Sequence, residues 1–376
     1  MRKVRTKMGM DTSTGEPGRS RRHVLRSIGG ASAVGIAGLA GCMGSDSDEP
    51  FVAQVTGGHY IDTYQDQVFS GFEDEHDVEV EVHQISDQFD GYQQIQQGQS
   101  DADVSITSAN TLYMGADQGV WASIDPEELE NYDNLLETFR NPIYDAGDDV
   151  HGVPTVYGTI GMAYNRDEFG ELDSWEACWD EANDGNITMQ GTDFVRVFTT
   201  ALYLGMDPND IEANGSYDEG MAAIWESVRE QRDLISNYWT TGDEHVRMFS
   251  ENEAYVGEAW GGRIKAAIDD GHDHLDYVVP EEGAYGWSDN WVMVDDIDDK
   301  RETALAFFDY LLRDDVMVPL AETLGYPPAT DVTSDDIEAL GDYDPSGGER
   351  LTFLDPGYED EHSDEWSEEW ESIQSA

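Results

Sequence analysis

The chain has 376 residues, enough for two domains of ordinary size, and it carries 81 Asp and Glu against 20 Lys and Arg, a formal net charge of −61. Hydrophobic residues make up 39% and aromatic residues 11% of the chain, which excludes a disordered acidic polymer and predicts a sizeable core. A surface this acidic repels nucleic acid and anionic membranes. Since salt shortens the Debye length to roughly 3 Å at 1 M and so relieves the self-repulsion, we expect a protein adapted to high salt.

Residues 1–41 are predicted to be a signal peptide. A twin-arginine pair, Arg21 and Arg22, precedes an apolar stretch at residues 28–41 that is too short and too rich in Gly and Ala to span a membrane. The stretch ends in Leu-Ala-Gly before Cys42, which resembles a lipoprotein cleavage site. We therefore expect Cys42 to carry lipid at the extracellular face of the cell membrane, with residues 42–50 as a flexible tether.

The first half of the remaining chain alternates strands and helices. Strands are predicted at residues 51–55, 78–82 and 102–107 and within 153–164, and helices at 64–75 and 92–99. Strands that alternate with helices predict a largely parallel sheet, with ligand-binding loops at the carboxyl ends of the strands.

The second half continues with helices of different length. Helices are predicted at residues 192–204, 218–237, 263–270, 303–313 and 363–373, and strands at 254–259 and 276–280. Trp366 and Trp370 lie four residues apart in the last helix and are expected to pack on the protein. The chain has two cysteines, so a disulfide framework is excluded, and Cys178, which stands among aromatic residues, is expected to be a buried small hydrophobe.

Several segments resemble, in their order and spacing, the spermidine/putrescine-binding proteins of ABC importers. They are residues 153–165, 174–176, 185–187, 257–262, 278–283, 287–289, 307–313 and 322–327. The resemblance covers residues 55–330 and implies an α/β fold, the type II periplasmic-binding-protein fold, with two lobes joined by crossover strands. It implies lobe 1 at residues 51–158 plus about 289–330, and lobe 2 at 159–288 plus about 331–376.

The same resemblance implies a monomer without enzymatic activity or cofactor. Such a subunit binds a small amine outside the cell and delivers it to ABC permease subunits, which are driven by a cytoplasmic ATPase. The membrane is then a partner through the lipid on Cys42.

The residue types needed for an amine are present in the matching segments. Ammonium groups require carboxylates, and the methylene stem favours aromatic faces, whose cation–π contacts contribute about 0.5–2 kcal/mol each. Trp260, Trp287 and Asp289 supply these groups. Tyr157 is expected to form a wall near the hinge, and Asp193 to add a carboxylate at a helix start, where an ordinary helix cap is the alternative.

Arg196 departs from the polyamine pattern, because it stands where the family commonly has a second acid. A guanidinium there suits a ligand carboxylate, and so a zwitterionic ω-amino acid, unless Arg196 pairs with an acid of the protein itself. Asn110, which follows a predicted strand, is a further candidate for ligand contact.

Other ligands and functions stay open at this point. His59 and Tyr60 beside Asp62 are compatible with an iron pocket, and thiamine is another candidate ligand. A secreted hydrolase is the alternative of a different class, but carboxylates are so numerous that no acid/base pair stands out. The sequence contains no His-Glu-x-x-His motif, no Gly-x-Ser-x-Gly motif and no P-loop.

Overall fold

The computed structural model describes residues 49–297 and 299–375, apart from the side chain of Asn214. The strands are β1 Phe51–Thr56, β2 Val80–Ile85, β3 Val104–Ser108, β4 Gly152–Asn165, β5 Ile187–Gln190, β6 Ile235–Trp239, β7 Val256–Trp260, β8 Leu275–Val278, β9 Ala284–Met293 and β10 Leu351–Thr352. The predicted signal peptide, Cys42 and nearly all of the predicted tether lie outside the described residues.

The helices fill the connections between these strands. They are α1 His59–Tyr64, α2 Ser70–His76, α3 Gln88–Gln96, α4 Ala109–Asp117, α5 Glu137–Arg140, α6 Arg166–Phe169, α7 Asp193–Tyr203, α8 Tyr217–Arg232, α9 Gly242–Ser250, α10 Gly261–Asp269, α11 Arg301–Leu311, α12 Asp314–Leu324, α13 Asp335–Glu338 and α14 Pro356–Ser375. A π-helical segment, Gln65–Phe69, joins α1 to α2. None of the helices in the described part of the chain is long and apolar enough to cross a membrane.

Ten strands of the described chain form one mixed sheet in the order β2-β1-β3-β9-β4-β7-β5-β6, with β10 beside β9 and β8 beside β4. The outer groups, β2-β1-β3 and β7-β5-β6, are parallel, whereas β9 and β4 between them pair antiparallel with each other and with β3 and β7. The short strand β10 pairs in parallel with β9. The prediction of an α/β fold with crossover strands is therefore confirmed, but the sheet is mixed and not largely parallel, because β4 and β9 run antiparallel to β7 and β3 and to each other.

The strand β4 runs through both halves of the sheet. Residues 152–160 of β4 pair with β9, and residues 160–165 pair with β7 and β8. All 14 residues of β4 are buried. A strand covered on both faces favours a nearly continuous apolar run, which explains why the segment is so easily recognised in the sequence.

The hydrophobic core divides in the same way. One cluster joins buried residues between Phe51 and Tyr157 to others between Trp291 and Phe353. Separate, smaller clusters consist of buried residues from the second half of the chain and from the last helix. Trp366 and Trp370 of this helix are buried, as expected. Cys178 is buried and free. This division resembles the predicted lobes, whose exact boundaries stay a prediction.

Most predicted elements are present with shifted ends, but one prediction was wrong. The helix expected at residues 218–237 ends at Arg232, and Ile235–Trp239 is a strand that pairs with β5. The pairing with β5 outweighs the helical pattern, since propensity is a weak guide where tertiary contacts compete with it. The sequence also gave no prediction for α4, α9 and α12, or for most of β9.

Candidate functional site

The crossover strand β9 places Trp287 and Asp289 on the same face, because side chains two residues apart on a strand point to the same side. Asp289 is only 5% exposed. Its carboxylate accepts hydrogen bonds from the Tyr60 hydroxyl at 2.8 Å and from the Gln88 side-chain amide at 2.7 Å. Burial raises the pKa of Asp289 above its usual value, and these two hydrogen bonds act in the opposite direction.

Aromatic residues lie near this carboxylate. The Trp287 and Tyr326 rings meet edge to face, with centroids 4.9 Å apart. Tyr60 and Tyr326 are both half-buried, and the negative charge of Asp289 helps to raise the pKa of each hydroxyl, after the larger effect of desolvation. Gly158 of β4 lies directly against Trp287, where a methyl group on its Cα would approach ring atom Cζ2 to 2.3 Å. The Trp287 ring therefore packs directly against the backbone of the crossover strand β4.

Trp260 enters the same region from the other half of the sheet. It ends β7, is half-buried, and packs edge to face on Trp239 with ring centroids 5.6 Å apart. Two residues later, a Cβ atom on Gly262 would lie 2.6 Å from Cε1 of Tyr326. The segment that carries Trp260 thus contacts the aromatic group around Asp289. The structure brings Trp260, Trp287 and Asp289, all predicted as site residues, into one neighbourhood.

Asp193 and Asn110 have different surroundings. Asp193 is the first residue of α7 and half-buried, and its carboxylate accepts hydrogen bonds from the Phe194 amide and from the Ser367 hydroxyl of α14. Burial, and then the negative charge of Asp193, raise the pKa of the neighbouring Glu359 carboxyl to about 7. Asn110 is exposed in the first turn of α4. The structure records no contact of either residue with the group around Asp289, within the described residues.

Arg196 lies inside the second half of the chain. Its side chain is fully buried in an ion pair with Glu258 of β7, which is equally buried. The guanidinium also donates to Gln231 Oε1 at 3.2 Å, and the Glu258 carboxylate accepts from the Gln190 backbone amide at 2.8 Å. The sequence left two roles open for Arg196, contact with a ligand carboxylate or pairing with an acid of the protein. The geometry agrees with the second role.

Tyr157 is 1% exposed and belongs to the hydrophobic core. Its ring packs against Phe139 with centroids 5.3 Å apart, and its hydroxyl accepts a hydrogen bond from the Asp344 amide at 3.3 Å. The tyrosine expected to form a wall near the hinge is therefore turned toward the core.

Three residues of this neighbourhood were not predicted from the sequence as contacts of an amine. Tyr60 was considered only as part of a possible iron pocket, and Gln88 is one of several glutamines in a polar helix. Tyr326 lies in a segment that matches the family but was not selected as a site residue. Tyr60 did carry a signal, because it follows the carboxyl end of β1, where ligand-binding loops lie in α/β sheets. Gln88 had no comparable signal.

This arrangement is suited to a cation. A carboxylate that is removed from water and flanked by aromatic faces attracts an ammonium group through both charge and ring quadrupoles. The recorded ion pairs of the described residues do not include Asp289, whose partners Tyr60 and Gln88 are neutral. No group of three or more His, Cys, Asp or Glu side chains that could hold a metal ion occurs among residues 49–297 and 299–375.

Comparison with known proteins assigns the chain to a family. The sequence profile described as bacterial extracellular solute-binding protein matches residues 67–342. The spermidine/putrescine-binding periplasmic protein of Escherichia coli is 30% identical over 220 residues, which are 56% of this chain and 58% of that protein. The putrescine/agmatine-binding protein of Pseudomonas aeruginosa is 24% identical over 243 residues, which are 61% of this chain and 65% of that protein. The chain therefore spans less than two thirds of the length of either relative.

Solved structures share the fold over a larger part of the chain. The substrate-binding protein PotD of a spermidine/putrescine ABC transporter from Streptococcus pneumoniae has a TM-score of 0.72 at 19% identity, and covers 87% of this chain and 99% of its own. MotA of A. tumefaciens, in complex with glucopine, has a TM-score of 0.59 at 17% identity, and covers 86% and 99%. At these identities the structures establish the two-lobed α/β fold and leave the ligand open.

Proposed function

Because the chain belongs to the bacterial extracellular solute-binding proteins, we propose that it is the extracellular subunit of an ABC importer that captures a polyamine such as putrescine or spermidine, or a related small amine. In this role it has no catalytic activity and delivers the amine to a membrane permease.

The observation that carries the proposal is the environment of Asp289. Its carboxylate is desolvated and held by two neutral donors, Tyr60 and Gln88, and it lies beside the half-buried ring of Trp287. Removing an ionised carboxylate from water is unfavourable unless a cation compensates for it. An ammonium group at this place supplies the compensation, and Trp287, Tyr326 and Trp260 cover the methylene stem.

A zwitterionic ω-amino acid is the weaker alternative. It requires a cation of the protein that reaches the ligand carboxylate, and the sequence offered Arg196 for this purpose. Since Arg196 is fully buried and paired with Glu258, the proposal gives it no ligand contact. Asp193 and Asn110 stay candidates for more distant parts of a longer amine, whereas the buried Tyr157 is proposed to support the core only.

We also propose that the protein reaches its place of action by twin-arginine export and is held there by lipid on Cys42. The support is the order of Arg21-Arg22, a short apolar stretch and Leu-Ala-Gly-Cys in the first 42 residues. Replacing Cys42 by Ala is expected to move the protein from the membrane fraction to the medium of its native host. Protein that stays membrane-bound after this substitution contradicts the lipid anchor.

The ligand is tested by calorimetric titration of the purified protein in about 1 M KCl, where nonspecific attraction to the acidic surface is screened. Putrescine, spermidine and γ-aminobutyrate are titrated separately. We expect Asp289→Asn to weaken binding of the diamine by about 10- to 100-fold, since hydrogen bonds to charged groups contribute about 1.5–3 kcal/mol. The matched control is Asp145→Asn, which changes another buried carboxylate, bonded to His151.

Binding of putrescine or spermidine that Asp289→Asn weakens and Asp145→Asn leaves intact supports the proposal. Binding of γ-aminobutyrate alone transfers it to zwitterionic ligands. Absence of binding for all three compounds contradicts the assignment of the ligand class, although the family assignment stands.

A further inference from the structure

A second buried carboxylate, Asp342, lies close to the proposed site but makes no contact with Asp289. It is 1% exposed, in the segment that follows α13. Its Oδ1 accepts two hydrogen bonds from Thr159 of the crossover strand β4, one from the backbone amide at 2.8 Å and one from the hydroxyl at 2.5 Å. The Thr159 hydroxyl is in turn 2.7 Å from the hydroxyl of Tyr277. Asp342 is therefore bonded to the strand that links the two halves of the sheet.

The same carboxylate contacts the beginning of helix α10. A Cβ atom on Gly261 would lie only 2.2 Å from Asp342 Oδ1, so the backbone of the first turn lies against the carboxylate. Burial raises the pKa of Asp342 to about 6, and hydrogen bonds from Thr159 and from the Gly262 backbone amide act in the opposite direction. Trp260 occupies the N-cap position before the helix, and its side chain makes no capping hydrogen bond. Asp342 thus supplies, from a distant part of the chain, the acceptor that the first turn of a helix requires.

The junction that Asp342 holds is part of the proposed amine site. Trp260 is paired with Ile160 of β4, next to Thr159, and Gly262 contacts Tyr326, whose ring meets Trp287. A shift of the Trp260–Gly262 backbone therefore moves the Trp260 ring relative to the aromatic group on the other side of the site.

A neighbouring aspartate shows what a purely local role looks like. Asp344 is 2% exposed, but its carboxylate accepts hydrogen bonds from Ser346 and from the Arg350 amide, all within its own turn. Asp342 has its recorded partners on β4 and α10 instead. Two carboxylates of the same segment, both buried, thus differ in whether they reach the site.

We propose that Asp342 is a positioning residue for amine binding, which fixes the Trp260–Gly262 junction against β4 and so sets the place of the Trp260 ring. The predicted effect on amine affinity rests on the proposed function. The predicted effect on the position of the Trp260 ring does not depend on the ligand.

The test uses the full chain labelled with 5-fluorotryptophan. The ¹⁹F resonance of Trp260 is identified as the one that is lost in Trp260→Phe. We expect this resonance to shift or broaden in Asp342→Asn, which keeps the shape of the side chain and removes its charge. A smaller change of the same resonance is expected in Thr159→Val, which removes one donor and keeps the carboxylate. The matched control, Asp344→Asn, is expected to leave the Trp260 resonance in place.

Titration with putrescine gives the second readout. Asp342→Asn is expected to weaken binding about tenfold, the effect of one hydrogen bond to a charged group, while Asp344→Asn leaves the affinity unchanged. In a Trp260→Phe background, Asp342→Asn is expected to cause a much smaller loss, because it acts through that ring.

A Trp260 resonance that is the same in Asp342→Asn and in the wild-type protein overturns the inference, as does a loss of affinity that is equally large with and without Trp260. If the wild-type protein binds neither putrescine nor spermidine, the proposed function is wrong, and the resonance alone decides on Asp342.

Discussion

The buried pair of Arg196 and Glu258 gives a prediction about both stability and ligand choice. Both side chains are fully buried, so each charge depends on the other for compensation. Removing one partner of such a pair typically costs about 3–5 kcal/mol, since the remaining charge stays buried and unpaired. We expect Glu258→Gln and Arg196→Met to destabilise the protein by this amount each. Against a total stability of about 5–15 kcal/mol, this is a large effect.

The double variant Arg196→Met/Glu258→Gln removes both charges together. Its glutamine can still accept the hydrogen bond that the Gln190 amide donates to Glu258, so no backbone donor is left unsatisfied. What remains is the lost hydrogen bond to Gln231 and a change of packing. We therefore expect a cost of about 1–3 kcal/mol for the double variant, well below the sum of the two single variants.

Urea unfolding at a fixed KCl concentration, followed by circular dichroism, measures all four proteins on one scale. Additive losses, or single variants that lose less than about 1 kcal/mol, would refute the argument from charge compensation. Titration of the double variant adds the functional test. If Arg196 has no ligand contact, the affinity of the double variant for the diamine equals that of the wild-type protein.

Three further predictions follow from other sites. Burial lowers the pKa of His245 from 6.5 to about 4, so the unfolded chain binds more protons than the folded protein between these pH values. The contribution of His245 to stability is therefore complete above pH 6.5 and falls by up to about 3 kcal/mol as the pH drops to 4. Urea titrations at several pH values measure this dependence, and His245→Phe is expected to make it less steep. Gly158→Ala is expected to displace Trp287, because Cζ2 of its ring would lie 2.3 Å from the new methyl group. The substitution should lower the stability by about 1–3 kcal/mol and should also weaken amine binding. Gly215→Ala serves as the control, since its new methyl group would meet only a side-chain oxygen of Glu219, at 3.4 Å. With a formal net charge of −61, the free energy of unfolding is expected to rise between about 0.1 and 1 M KCl, as the Debye length falls from roughly 10 to roughly 3 Å, and an unchanged urea midpoint would contradict this.

The fold was predictable wherever one short pattern was sufficient. The alternating or continuous apolar runs at β1, β3 and β4 each matched a strand, and the apolar periodicity at residues 192–204 matched α7 closely, because these segments are buried on the faces that their patterns indicate. The strand β6 was missed for the opposite reason. It is a five-residue edge strand with mixed burial, and its sequence continues the pattern of α8 without a Gly or Pro between them.

The candidate site was predictable in part, and the limit is again physical. Trp287 and Asp289 are two residues apart, so one strand places them together, and a local pattern carries this information. The partners of Asp289 come from two distant helices, and no local pattern links Gln88 to a strand some 200 residues later. The same limit applies to Arg196. Its charge indicated a ligand contact, and the carboxylate that pairs with it, Glu258, lies 62 positions away in the chain.

The exposed and the buried carboxylates of this acidic protein have different roles. The many exposed carboxylates act over distances comparable to the Debye length, so at high salt they keep the protein hydrated but contribute little attraction to a particular amine. Asp289 is different because it is shielded from solvent and from its ions, and its interaction with a bound ammonium is screened far less. In a protein with 81 acidic residues, specific recognition of a cation therefore depends on burial and not on the number of charges. Diamine affinity should accordingly depend on Asp289, Trp287 and Trp260 much more than on any exposed acid.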